Sequence, residues 1–239
     1  MIEYTINADG SPGKSWNPYS GCLHSLEECP TADKCWARAL AKRFPQICKG
    51  DFSPRFHPDR LDVPCHWRKP QRIATCFMGD LFDEWNSIYG RNEEIVKILT
   101  VVEKNPKHTF LFLTKNPRGA WCYEPFPRNA WFGVSITGIL GDKDVDNLDV
   151  ALLTSAHWRW VSYEPALGPL HKEALELIKG FDWLVIGAQT GPGACKPKLE
   201  WVMAAEEAAK KAEVPVWRKN NLCKVLGLEP RQELPESMS

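Results

Sequence analysis

Three cysteines, Cys22, Cys29 and Cys35, stand at the spacing Cys-x6-Cys-x5-Cys in the stretch Trp16-Asn17-Pro18-Tyr19-Ser20-Gly21-Cys22 to Cys35-Trp36-Ala37-Arg38. Thiolates carried on short irregular loops are the ligands of iron–sulfur clusters. Gly21-Cys22 and Cys29-Pro30 permit tight turns around a metal, and Cys35 falls at the front of an expected helix, where a thiolate is favoured. Three ligands on a four-iron cluster leave one iron open to a substrate or cofactor. Zinc is the first rival; it takes four ligands and commonly a Cys-x2-Cys pair. No such pair occurs here, although His24 or Cys48 could complete a set. Unliganded thiols are the second rival, and spacing alone leaves all three open. Cys76 lies in an apolar run and is expected in the core. Cys48, Cys65, Cys122, Cys195 and Cys223 are scattered and read as structural.

Nine cysteines in 239 residues, an odd number, do not suit a secreted disulfide scaffold. Met1–Thr5 carries neither the basic nor the apolar region of a leader, and no apolar run approaches the roughly 18–20 residues needed to span a bilayer. A reducing, cytoplasmic compartment is the expectation. Thirty basic residues balance thirty acidic ones, so no global field draws the chain to nucleic acid or to a membrane.

The elements that must position the thiols follow a rhythm. Trp16-Asn17-Pro18 ends a short first strand. Asp33 is placed to cap a helix from about Lys34 to Phe44, with Trp36, Leu40 and Phe44 on its apolar face. Residues 45–70 form an irregular excursion broken by prolines, basic through Arg55, His57, Arg60, Arg68 and Lys69. Strands are expected at 72–82, 109–114, 130–135, 158–162, 183–187 and 214–217. Helices intervene, with stripes such as Ile95, Ile98, Leu99 and Val102, or Leu199, Val202 and Met203. The strands are apolar throughout, the pattern of a parallel sheet covered on its faces. Six to seven βα units predict an α/β fold, a partial (β/α) barrel; a doubly wound sheet is the alternative. Residues 1–228 read as one such domain and 229–239 as a polar tail.

In parallel β/α folds, ligands bind at the carboxyl ends of strands. Those ends are polar here: Gly79-Asp80, Thr114-Lys115, Ser135, Ser162 with Glu164, Gln189-Thr190, and Lys219. Each has a plain alternative as a turn, a cap or a solvated charge, and their joint placement is what suggests a site.

As a whole the chain resembles a largely uncharacterised, phage-associated three-cysteine family placed close to the radical S-adenosylmethionine enzymes. The blocks that carry the likeness are Trp16-Asn17-Pro18 with Gly21-Cys22, Cys29 and Cys35-Trp36-Ala37; Phe56-His57-Pro58-Asp59-Arg60-Leu61; Phe77-Met78-Gly79-Asp80-Leu81-Phe82; Phe112-Leu113-Thr114-Lys115; Val161 to Pro169; Trp183 to Gly187; and Gly191-Pro192-Gly193-Ala194. They span about residues 14 to 220. Three departures stand out. Five residues separate Cys29 from Cys35 where the family usually has two, Trp36 replaces the Tyr that usually follows the third cysteine, and Gln189 stands where the family often has Glu.

The resemblance implies a radical-SAM-like partial barrel with a 4Fe-4S cluster on Cys22, Cys29 and Cys35. Such an enzyme cleaves S-adenosylmethionine reductively to methionine and a 5′-deoxyadenosyl radical, which abstracts hydrogen from a substrate. By strand order, Gly79-Asp80 would receive the methionine amino group and Lys115 or Ser135 its carboxylate. Ser162 and Glu164 would hold ribose hydroxyls, and the Gly187–Thr190 backbone, with Gln189, would line adenine. A nucleic-acid or nucleotide substrate is suggested by the basic 55–72 segment with Trp67, and a protein partner is also open. The competing readings are a nucleic-acid- or partner-binding module with a structural zinc, and a metal-free β/α enzyme acting on a phosphorylated compound through Gly191–Gly193 and Lys219.

Overall fold

A computed structural model describes residues 2–48, 51–83 and 92–236. The chain divides into two compact units, Met1–Trp131 with Ser155–His157, and Phe132–Thr154 with Trp158–Ser239.

Seven strands share one sheet, and their order in it is their order in the chain: β1 (Lys14–Trp16), β4 (Arg72–Thr75), β5 (Thr109–Thr114), β6 (Ala130–Ile136), β7 (Trp158–Tyr163), β8 (Trp183–Ile186) and β9 (Val216–Arg218). Two further strands, β2 (Tyr19–Ser20) and β3 (Arg55–Phe56), form a separate antiparallel ribbon. The β1–β4, β4–β5, β7–β8 and β8–β9 pairs are parallel. A doubly wound sheet reverses its order at a switch point. This one never does, so the fold is the α/β, partial (β/α) barrel type. Every residue of β4, β6 and β8 is buried, because parallel strands are covered on both faces. That is why their sequences run apolar without alternating.

The first unit carries α1 (Trp36–Arg43) and α2 (Asn92–Lys104). Helix α2 buries Ile95, Ile98, Leu99 and Val102, the stripe its 3.6-residue period predicts. Helix α1 differs from expectation. It begins after Cys35 rather than Asp33, and its buried face is Ala37 and Ala41, with Trp36 and Phe44 exposed. Small residues face inward because the helix lies against Met78 and Cys48, with Leu40 and Cys35 beside them. Strand β4 is also shorter than the apolar run Ile73–Met78. The chain leaves it at Cys76, which takes a left-handed φ of 61° and is buried, with its thiol pushed up by burial.

The second unit carries α3 (Asp142–Leu152), α4 (Lys172–Leu177), α5 (Leu199–Lys211) and α6 (Asn220–Leu226). Trp160, Trp183 and Trp217 on successive strands pack against one another, tilted and then edge-on, at ring separations of 5.9 and 6.1 Å. On α5 the buried residues are Val202, Ala205, Glu206 and Ala209, while Leu199 and Met203 are exposed. Apolar periodicity alone missed the buried carboxylate. Glu206 accepts two hydrogen bonds from Arg218, at 2.5 and 2.6 Å. Arg231 stands 3.7 Å away. Glu206→Ala would strand the half-buried guanidinium, so an unfolding free energy lower by about 3 kcal/mol is expected in urea titrations. A loss under about 1 kcal/mol would show the pair to be dispensable. Residues 229–236 do not trail away. Gln232 bridges to Trp217, and Glu233 accepts the Val216 amide at 2.8 Å. Among the described residues no helix is long and apolar enough to cross a membrane.

Candidate metal centre and strand-end residues

The cysteine loop hangs from the carboxyl end of β1. Buried neighbours hold its start. Ser20 Oγ lies 2.7 Å from His57 Nε2, both residues fully buried. The Arg60 guanidinium donates to the Asn17 and Ile47 carbonyls at 3.1 and 2.9 Å, and the Trp16 indole donates to the Arg60 carbonyl at 2.7 Å. His57 and Arg60 are thus occupied in bracing this loop, and Arg72 is buried as well. The basic character read from residues 55–72 is therefore partly internal, while Arg55, Arg68 and Lys69 are exposed.

Gly21 donates to the Met78 carbonyl at 2.9 Å and pairs with Gly79 as a parallel bridge. The Cys22 amide then donates to Phe52 at 3.1 Å. Beyond it the loop runs through local turns. Ser25 donates from both amide and hydroxyl to Glu28 Oε2, at 2.7 and 2.9 Å. The widened gap between Cys29 and Cys35 folds into two more, Ala32 to Cys29 at 2.9 Å and Lys34 to Thr31 at 3.0 Å. The inserted residues are absorbed locally. Cys22, Cys29 and Cys35 are all free thiols, Cys29 buried and the other two half-buried.

Asp80 is the hub of the first unit's strand ends. Its carboxylate lies 2.9 Å from His24 Nε2 and accepts from the Thr114 hydroxyl at 2.7 Å, the Lys115 amide at 2.8 Å and the Phe82 amide at 3.1 Å. This ties the cysteine loop to the ends of β4 and β5. Burial alone would raise the Asp80 carboxyl. The His24 bond and charge, with the Lys115 and Thr114 donors, outweigh it and hold the group below the usual range. Burial likewise pulls the His24 imidazolium down, but the Asp80 bond and charge, with the neighbouring Cys22 sulfur, push it up to about 11. The Cys22 thiol is raised by burial.

Beside this pair lies a set of metal-type donors. Cys22, His24 and Asp83 each offer a ligand atom, and these atoms lie within 4.8 Å of one another. Among the described residues the three cysteines make no such group. A single tetrahedral ion with bonds of about 2.3 Å would need its thiolates that close. A four-iron cluster spreads its ligands around a larger cube.

The second unit has its own polar strand ends. Ser135, at the end of β6, donates to the Glu164 carbonyl at 3.3 Å. The Glu164 carboxylate pairs with Lys219, which takes up the charge that a phosphate group would need. Ser162 is fully buried on β7, and among the described residues its hydroxyl has no hydrogen-bond partner. Gln189 accepts the Cys195 amide at 2.8 Å and so closes the loop that carries Gly191–Gly193. The Ala188 backbone is held on both sides by the Asn221 amide, at 3.4 and 2.7 Å.

Two of these residues are absent from the sequence-based set, Asp83 and Asn221. Asp83 had a signal, since it follows Asp80 by three residues in the same post-strand turn. Asn221 had none, because it lies on α6, which the sequence reading left out.

The fold and these strand ends define a singly wound parallel α/β protein whose first loop is rich in metal-type donors. The chain belongs to the family described as "Protein of unknown function (DUF5131)", whose sequence profile matches residues 5–222. No curated protein matches the chain, and no solved structure does.

Proposed function

We propose that the chain is a radical S-adenosylmethionine enzyme whose 4Fe-4S cluster is held by Cys22, Cys29 and Cys35. The observation that carries the reading is the placement of three free thiols on the one loop that leaves the carboxyl end of the first strand in a singly wound parallel sheet. The donor chemistry fits the group. The ligands are thiols only, they are too spread for a single ion on all three, and the loop between them is made of short turns. When bound, such a cluster supplies the electron for reductive cleavage of S-adenosylmethionine, which leads to hydrogen abstraction from a substrate.

The chain's own residues orient and shield. Asp80 uses both carboxylate oxygens internally, so its part is to fix the cysteine loop against β5. The contact of Gly79-Asp80 with a methionine amino group, suggested by strand order, remains part of the proposal. The roles toward S-adenosylmethionine expected for Lys115, Ser135, Ser162, Glu164 and Gln189 remain part of the proposal. Ser162 has the strongest support, from its unpartnered buried hydroxyl. A nucleotide or nucleic-acid substrate, a protein partner and a cytoplasmic location belong to the same reading. A binding module with a structural zinc is the alternative.

Anaerobic reconstitution with iron, sulfide, reductant and S-adenosylmethionine tests it. The expected result is a brown protein absorbing near roughly 400 nm that forms 5′-deoxyadenosine. A Cys22→Ala/Cys29→Ala/Cys35→Ala variant should show neither. A triple variant with unchanged iron content and visible spectrum would overturn the assignment.

A further inference from the structure

Cys22 belongs to two donor sets, and only one of them includes Cys29 and Cys35. The other is Cys22, His24 and Asp83, with ligand atoms within 4.8 Å of one another. His24 is 8% exposed, and among the described residues its buried Nδ1 has no hydrogen-bond partner. Its other nitrogen, Nε2, is occupied by Asp80 at 2.9 Å. A carboxylate on one imidazole nitrogen and a metal on the other is the usual arrangement of a ligating histidine, because the carboxylate sets the tautomer and aims the ring. Leaving a polar nitrogen buried and unbonded is costly otherwise. Asp83 is 2% exposed, and its Oδ2 lies 4.0 Å from His24 Nε2, so the ring must turn its Nδ1 toward Asp83 as the site closes on an ion. Glu28 Oε2 lies 4.0 Å from Nδ1 on the more open side, where a fourth ligand would stand.

We propose that Cys22, His24 and Asp83 form a mononuclear site for a zinc-type dication, oriented by Asp80, that competes with any cluster for Cys22. Charge favours a dication. One thiolate and one carboxylate neutralise the ion, and the Asp80 carboxylate behind the imidazole leaves one further negative charge, which also favours a cation. The mixed sulfur, nitrogen and oxygen donors suit zinc better than calcium or magnesium, which take oxygen. Bonds of about 2.0–2.3 Å place donors under about 4 Å apart, so binding requires the loop to close by about 1 Å. Binding releases the protons that the Cys22 thiol and Nδ1 carry. This site stands independently of the cluster reading, since neither Cys29 nor Cys35 takes part.

The test uses the full chain, reduced, iron-free and stripped of metal, titrated with cobalt(II) alone and then displaced with zinc. One equivalent of cobalt should give a thiolate-to-cobalt charge-transfer band with tetrahedral visible bands, and zinc should abolish both. Cys29→Ala/Cys35→Ala should bind as wild type. His24→Gln and Asp83→Asn should each bind about 100-fold more weakly, beyond or at the top of what loss of an orienting partner produces. Near-ultraviolet circular dichroism identifies a variant that fails to fold, and Asp83→Asn serves if His24→Gln does.

Loss of cobalt binding in Cys29→Ala/Cys35→Ala would overturn the proposal. So would unchanged binding in folded His24→Gln or Asp83→Asn. Iron–sulfide reconstitution of the same variants separates this site from the cluster. His24→Gln and Asp83→Asn should keep the brown chromophore, Cys29→Ala/Cys35→Ala should lose it, and prior zinc should slow its formation in wild type but not in His24→Gln.

Discussion

Replacing Asp80 with Ala is expected to lower the unfolding free energy of the metal-free protein by about 3–5 kcal/mol, the cost of removing one member of a buried ionic pair. The magnitude follows from what is left behind. His24 would lose its charge partner, and the Thr114 hydroxyl, the Lys115 amide and the Phe82 amide would lose their acceptor. None of them is exposed enough for water to substitute fully. Equilibrium urea denaturation in the presence of a chelator measures the loss.

The pH dependence carries the sign. His24 titrates near about 6.5 when unfolded and at about 11 when folded. Its contribution is therefore complete below about pH 6.5 and drains away as the pH rises toward 11. Asp80 is held below its ordinary value of about 3.9, so its contribution is complete above that value and is lost as the pH falls further. The gap between wild type and Asp80→Ala should be widest between about pH 4 and 6.5 and shrink on either side. A gap that widened from pH 7 to 9 would show that the His24–Asp80 pair is not ionic.

Gly79→Ala is expected to act on the same loop through shape alone. A Cβ at position 79 would meet the Gly21 carbonyl oxygen at 2.2 Å and its nitrogen at 2.8 Å. Those are backbone atoms, so no rotamer can yield. Gly21 cannot retreat, because it sits at φ 88° and a Cβ of its own would meet the Ser53 carbonyl at 2.2 Å. The added methyl must push the start of the cysteine loop off the end of β4, at a cost of about 3 kcal/mol, toward the upper end for point substitutions. Cys22 follows Gly21 directly, so metal loading should fall with stability. Thermal unfolding and iron content per chain check the two effects together. A Gly79→Ala protein that unfolds within about 2 °C of wild type, a shift that corresponds to about 0.5–1 kcal/mol, would show that the Gly21–Gly79 contact is not close.

Gly79 and Asp80 also have a structural part. Strand order marked them as cofactor contacts. Their geometry makes Gly79 the position where two chain segments touch and Asp80 the knot that ties three together. Both roles bear on the cysteine loop, one step behind the proposed ligand atoms.

Much of the fold was readable from the residues. Unbroken apolar strands alternating with helical stripes imply a parallel sheet covered on both faces, since each face must exclude water. The stripe Ile95, Ile98, Leu99 and Val102 located α2 for the same reason. Periodicity misled where packing, not hydrophobicity, selects the buried face. Helix α1 turns Ala37 and Ala41 inward because little room separates it from Met78 and Cys48. On α5 a carboxylate is buried because Arg218, distant in sequence, neutralises it.

The candidate centre divides in the same way. Residue type and local spacing were enough to single out Cys22, Cys29 and Cys35 and the polar ends of the strands, because thiols and strand termini announce their chemistry locally. Tertiary structure alone could join His24 to Asp80 and Asp83 across more than fifty positions of sequence, consume His57 and Arg60 in bracing, and couple Lys219 to Glu164. Those pairings depend on which strand ends lie side by side. That is set by the order of the sheet, and no stretch of sequence near His24 encodes it.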